Sequence, residues 1–159
     1  MNIKIITVGK IKESFYKEAI NEYTKRLSSY CKIKIIEVND EKTKENASVN
    51  ENNIVLKKEG KRILNYCSDN EYKIALAING NKLDSIRFAS KINGLGLHSN
   101  SNICFIIGGS LGLHEDVLNK ADYKLSFSDM TFPHQLMRVI LLEQIYRAFR
   151  INNNEPYHK

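Results

Sequence analysis

The ten residues Ser126-Phe127-Ser128-Asp129-Met130-Thr131-Phe132-Pro133-His134-Gln135 carry the densest chemistry of the chain. Ser128 and Thr131 offer hydroxyls, and Phe127, Met130 and Phe132 offer apolar surface. Pro133 ends the stretch where a helix pattern begins, a place where its missing N–H costs little. A second loop, Gly108-Gly109-Ser110-Leu111-Gly112, follows an apolar strand pattern. The chain closes on Asn154-Glu155-Pro156-Tyr157-His158-Lys159. An imidazole there can move protons near neutral pH, and a tyrosine and a lysine can hold a nucleic acid.

Several chemistries are excluded by spacing. Gly108 to Gly112 matches G-x-S-x-G, the setting of a serine-hydrolase nucleophile, and Asp122 or Asp129 with His134 or His158 would complete the order Ser, Asp, His. Only one further strand pattern follows, however, so the acid and histidine loops of that fold have no scaffold. The glycine loop lacks G-x-G-x-x-G spacing, and no Walker A sequence occurs. His98, His114, His134 and His158 have no metal-ligand spacing, so no metal is expected.

What remains is a pocket built from three strand ends: Leu76 to Gly80, Gly108 to Gly112 and Phe127 to Phe132. Glycines let backbone approach a ligand closely, and backbone groups can read an adenine edge and ribose hydroxyls. Leu76, Met130 and Phe132 could sandwich a flat base. An apolar pocket with few acids suits a nucleoside without phosphates, and S-adenosylmethionine fits it better than a nucleoside triphosphate.

These loops need a frame, and the periodicity supplies one. Strands are expected at Asn2 to Val8, Ile33 to Val38, Lys73 to Ile78, Ile103 to Ile107 and Tyr123 to Phe127. Helices are expected from Ser14, as cap, to about Ser29, from about Asn50 to Cys67, from an Asp84 or Ser85 cap to fraying at Gly94 and Gly96, over His114 to Lys120, and from His134 to about Asn152. Phe15, Ala19, Tyr23 and Leu27 form one apolar stripe, and Asn79-Gly80-Asn81 reads as a turn. The alternation βαβαβαβαβα predicts an α/β fold with a mostly parallel central sheet and helices on both faces, in one domain of residues 1–159. The last helix is apolar over most of its circumference, which calls for a second partner and predicts a homodimer through it. Glu143 can pair with Arg147 at i,i+4.

Composition bounds the setting. The net charge is +6, which favours a polyanionic partner, RNA or DNA first. The basic run Lys57, Lys58, Lys61, Arg62 reads as a solvated face. Three scattered cysteines, Cys31, Cys67 and Cys104, read as reduced thiols of a cytoplasmic protein. No stretch approaches the roughly 20 apolar residues of a membrane span, and no signal-peptide core opens the chain.

Ser128 to Gln135, Glu143-Gln144-Ile145-Tyr146-Arg147-Ala148, Ile107-Gly108-Gly109, Pro156-Tyr157-His158 and the opening Ile3-Lys4-Ile5 with Val8-Gly9-Lys10 together resemble one family along the whole chain. It is the ribosomal RNA large-subunit methyltransferase H family, the smallest SPOUT (trefoil-knot) methyltransferases. The resemblance implies a C-terminal trefoil knot, a homodimer and S-adenosyl-L-methionine bound in the knot. It implies methylation of N-3 of a pseudouridine in a subunit-interface hairpin of 23S rRNA, on the assembled 70S ribosome. The family's cofactor contacts fall on Leu76, Gly108, Phe127, Ser128, Asp129, Met130, Thr131 and Phe132. Its tail residues tied to activity match Tyr157 and His158, with His158 the expected proton acceptor. Arg138, Arg147, Arg150 and Lys159 are the expected contacts to RNA phosphates, Arg147 only if Glu143 leaves it free. Two positions depart from the family pattern. Ala77 stands where many relatives have an acid, and Gly80-Asn81-Lys82 stands where many have Gly-Lys. A non-enzymatic RNA-binding factor is the main alternative class.

Overall fold

The computed structural model describes residues 1–97 and 101–159; His98 lies outside them. Five strands form one sheet: β1 (Asn2–Val8), β2 (Lys32–Val38), β3 (Tyr72–Lys82), β4 (Asn102–Ile107) and β5 (Tyr123–Ser126). Their order is β2-β1-β4-β3-β5, and every pairing is parallel, as the α/β reading expects. Five helices connect and follow them: α1 (Ser14–Leu27), α2 (Val49–Leu64), α3 (Ser85–Leu97), α4 (Glu115–Lys120) and α5 (His134–Asn152).

The period-two alternation of the strands explains the two layers. Ile3 and Ile5 of β1, with Ile103 and Phe105 of β4, face one side. They pack there against Leu27 of α1, Phe88 and Ile92 of α3, and Leu141, Leu142 and Ile145 of α5. Ile6, Val8, Cys104 and Ile106 face the other side, against Ile63 of α2 and Val117 of α4. A central parallel strand buried on both faces must be apolar throughout, and Ile103 to Ile107 is.

Several local expectations are corrected. Ser14 is not a cap. Glu13 holds that position without a side-chain bond, and Ser14 is the first helical residue. Ser48 caps α2 through a reciprocal bond pair with Glu51, a Ser-x-x-Glu capping box. Asp84 caps α3, accepting from the Arg87 N–H at 2.7 Å, and α3 runs through Gly94 and Gly96 to Leu97 instead of fraying. Asn79-Gly80-Asn81 is not a turn. β3 continues through it, with a register shift between Leu76 and Asn81 against β5. A side chain at Gly80 would meet the Lys124 and Leu125 backbone at 2.8 Å, so β3 and β5 lie against each other there without room for a Cβ. Phe15 leaves its expected stripe and stands 59% exposed.

α5 packs between α1 and α3, so its own chain covers much of its apolar circumference. Its largest fully buried side chain is charged. Arg138 is 1% exposed, although its sequence position suggested a contact to RNA. Its guanidinium donates to the Val8 carbonyl at 3.0 Å, to the Gly9 carbonyl at 2.6 Å and to Glu37 at 2.7 Å. A buried charge must be hydrogen-bonded to persist, and these three acceptors are internal. Arg138 is therefore an anchor of the fold and has no face left for a phosphate. Arg138→Met should cost about 2–4 kcal/mol, since two backbone carbonyls lose their donor while Glu37 can rehydrate. Urea unfolding should show a lower midpoint at unchanged slope. A midpoint equal to the parent's would mean the clamp holds nothing.

Candidate active site

The C-terminal ends of β3, β4 and β5 open into a cleft of about 620 Å³. Open α/β sheets bind ligands on this side. Three short segments build it. Leu76 and Ala77 come from β3, Gly108 to Gly112 from the loop after β4, and Phe127 to Pro133 from the loop after β5. Of the eight residues expected to hold a cofactor, seven line this one cleft: Leu76, Gly108, Phe127, Ser128, Met130, Thr131 and Phe132. Asp129 does not. It points outward and pairs with Lys82.

Each loop is held by a local device. A Cβ at Gly108 would overlap the carbonyl of Gly112, so the loop doubles back on itself only because residue 108 is glycine. Gly112 itself has φ +87°, in the left-handed region. Ser128 folds the third loop by accepting from the Met130 N–H at 3.0 Å, while the Ser126 hydroxyl donates to the Ser128 carbonyl at 3.2 Å. Met130 remains 73% exposed at the rim.

Among the described residues the lining contains no aspartate, glutamate, lysine or arginine, and its one titratable side chain is His134. Burial and the neighbouring Arg138 hold this imidazole below its ordinary value, with Lys12 adding to the effect and Asp40 opposing it. The sequence reading considered His134 only as a hydrolase or metal residue and missed its place in the cleft wall. The available signal was Pro133, which fixes the start of α5 and so points the next side chain back across the loop.

The tail lies along α5. Tyr157 packs edge-on to Tyr146, sits under the Arg147 guanidinium at 4.7 Å, and donates to Glu143 at 3.2 Å. Burial first, then its polar neighbours, push the Tyr157 hydroxyl up to about 12, so it stays protonated. Glu155 pairs with Arg150 at 2.8 Å and accepts from Tyr30 at 2.5 Å. Arg147 is held by Glu143 at 2.6 Å, as i,i+4 spacing allows, and is not free for RNA. His158 is exposed, with Nδ1 3.4 Å from Arg147. It lines a neighbouring depression, not the main cleft. Lys159 is exposed. Among the described residues no three His, Cys, Asp or Glu side chains gather as a metal site, and no helix is long and apolar enough to cross a membrane.

With the folded value of His134 below 6.5, the unfolded chain takes up its proton first as pH falls. Stability should therefore drop as pH passes down through 6.5 toward the folded value. Urea midpoints at about pH 7.5 and about pH 5.5 should diverge more for the parent than for His134→Gln. Equal divergence would mean the ring titrates as if free.

Comparisons with known proteins agree with this geometry. The family model described as "Predicted SPOUT methyltransferase" matches residues 1–158. The chain is 61% identical over 159 residues to "Ribosomal RNA large subunit methyltransferase H" of Clostridioides difficile (strain 630), covering all of both chains. It is 62% identical, again over the full length of both, to the protein of that name from Clostridium botulinum (strain Okra / Type B1). A solved structure, "The structure of a probable methylase family protein from Haemophilus influenzae Rd KW20", superposes with a TM-score of 0.55 at 12% identity. It covers 99% of this chain and 70% of that one, a likeness of fold.

Proposed function

Because the chain belongs to the SPOUT methyltransferases, in the ribosomal RNA large subunit methyltransferase H family, we propose that it methylates N-3 of a pseudouridine in 23S rRNA, using S-adenosyl-L-methionine. That it is a methyltransferase of ribosomal RNA follows from the family; the target atom, the cofactor and the setting are our reading. One observation carries it: a single uncharged cleft gathers seven of the eight residues expected to hold the cofactor.

The cleft fits the cofactor on its own chemistry. Glycine-lined backbone lets a nucleoside approach, the apolar walls of Leu76, Met130 and Phe132 suit a flat base, and the lining has no cation for phosphates. Gly108 and the loop Phe127 to Phe132 would hold the adenosyl part, with Asp129 contributing through the Lys82 pair at the rim. When bound, S-adenosylmethionine supplies a methyl group on a sulfonium, which leaves a neutral thioether.

The chain's own residues do the rest. The target nitrogen must lose its proton, and His158 is the proposed acceptor. In the docked tail its Nδ1 faces Arg147, so proton uptake at Nδ1 requires the ring to turn from the guanidinium toward the base. Tyr157, kept protonated, positions the tail by its grip on Glu143. Arg150 and Lys159 are proposed to meet RNA phosphates, Arg150 by exchanging Glu155 for a phosphate. The net charge of +6 supports a polyanion.

The same reading takes residues 1–159 as one catalytic domain with a C-terminal trefoil knot. It also takes the protein as a cytoplasmic homodimer. Leu136 and Val139 of α5 remain only half-buried and would complete their burial against a second copy. The substrate is the 23S rRNA of the assembled 70S ribosome.

Radiolabelled S-adenosylmethionine with 70S ribosomes lacking the modification should label one pseudouridine, and free 23S rRNA should take up little. Cofactor binding without label on either would retire the substrate; neither binding nor label would favour an RNA-binding factor. His158→Ala should lower turnover roughly a hundredfold, the scale of lost acid–base catalysis, with cofactor affinity unchanged. Full turnover in that variant removes His158 from the chemistry.

A further inference from the structure

Beside the main cleft lies a second depression of about 540 Å³, and Phe127 lines both. Leu83, Ser85 and Ile86 border it from the start of α3, Ile140 and Gln144 from α5, and His158 from the tail. We propose that this second cleft receives the ring of the target pyrimidine, and that Ser85 and Gln144 read the edge that distinguishes pseudouridine from uridine. The proposal rests on the rRNA reading above and names the residues that would select its base.

The walls suit a flat ring. Ile86 is 56% exposed, although it borders a depression with Leu83 and the Phe127 ring, so an apolar face stands open to water. Phe127 is braced from behind by Phe88, with ring centroids 6.4 Å apart, so it can serve as a fixed partition between two occupants. An occupant of the second cleft then lies one side chain away from an occupant of the first.

The polar edge is oriented unambiguously. The Gln144 Nε2 donates to Glu143 at 2.7 Å, and a carboxylate can only accept, so the amide is not reversed. Its Oε1 accepts from the Ser85 hydroxyl at 2.9 Å. The Ser85 proton is thereby committed, which leaves the Ser85 oxygen and the second lone pair of Oε1 as open acceptors. Asp84 lines the same cleft but spends one oxygen capping α3. Uridine and pseudouridine present the same O2, N3 and O4 edge. They differ because the carbon-linked base keeps N1–H as an additional donor. A pair of adjacent open acceptors matches that donor, and a site built to bond a group rejects the analogue lacking it. A second copy of the chain would need apolar contact over this area and gives no use to the oriented acceptors.

Gln144→Leu and Ser85→Ala test this separately. The substrates are 70S ribosomes without the methyl group, carrying pseudouridine or uridine at the target. S-adenosylhomocysteine probes the first cleft by calorimetry, and sedimentation reports self-association. Each variant should lose roughly tenfold of its preference for pseudouridine over uridine, with S-adenosylhomocysteine affinity and sedimenting mass unchanged. An unchanged preference in both variants overturns the proposal. So does a fall in cofactor-analogue affinity or in mass, which would assign the depression to the first cleft or to a partner copy. Failure of the parent protein on both kinds of ribosome would instead strike the rRNA reading.

Discussion

A single buried guanidinium joins the two ends of this fold. Arg138 reaches from the first turns of α5 to the carbonyls that close β1, 130 and 129 residues away in sequence, and to Glu37 near the end of β2. Burying a charge costs several kcal/mol, and only this number of acceptors makes the position tolerable. The geometry it enforces is specific. Gly9 takes φ +81°, in the left-handed region that favours glycine, and the His134 ring lies beside it. The Ile11 N–H then bonds Glu37 at 3.2 Å, and the Lys12 N–H bonds Gln135 at 3.0 Å. One wall of the cleft is thus fixed by a residue that does not line it.

The chemistry of the two depressions follows from what surrounds them. The first is made of glycine backbone, hydroxyls and apolar side chains, and its only imidazole is held neutral by Arg138 and burial. The second is edged by Asp84, Ser85, the Gln144 amide and the His158 imidazole; Glu143 holds the amide from behind, and the amide holds the Ser85 hydroxyl. Phe127 separates them, and the tail is strapped over α5 by Tyr157, Glu155 and their partners.

Much of this was legible in the residues. Alternation gave the strands because each face of the sheet is packed, and the loops at strand ends were recognisable because glycine, hydroxyl and aromatic residues cluster there. The motif-rich C-terminal half pointed to the loop after β5, which lines the cleft, and Asp129 alone of that loop turns outward, to Lys82. Asn79-Gly80-Asn81 has turn composition, yet pairing with β5 overrides it, an effect no local signal carries. Arg138 looked like every other surface arginine of a basic protein; its burial depends on carbonyls contributed by the opposite end of the chain. Gln144 stood out only as part of a family segment, with no sign of its partner Ser85, 59 residues away.

The placement of α5 between α1 and α3 also sets the order in which the molecule can come into being. During synthesis β1, α1 and β2 emerge first, with Ile3, Ile5 and Leu27 uncovered on one face until Leu141, Leu142 and Ile145 arrive. Contacts of such large sequence separation form slowly, and the waiting intermediate exposes apolar surface and strand edges. The cleft has no third loop until β5 is made, and the Arg138 clamp closes later still. A growing chain is thus without a complete cleft until the loop after β5 and the start of α5 have been made.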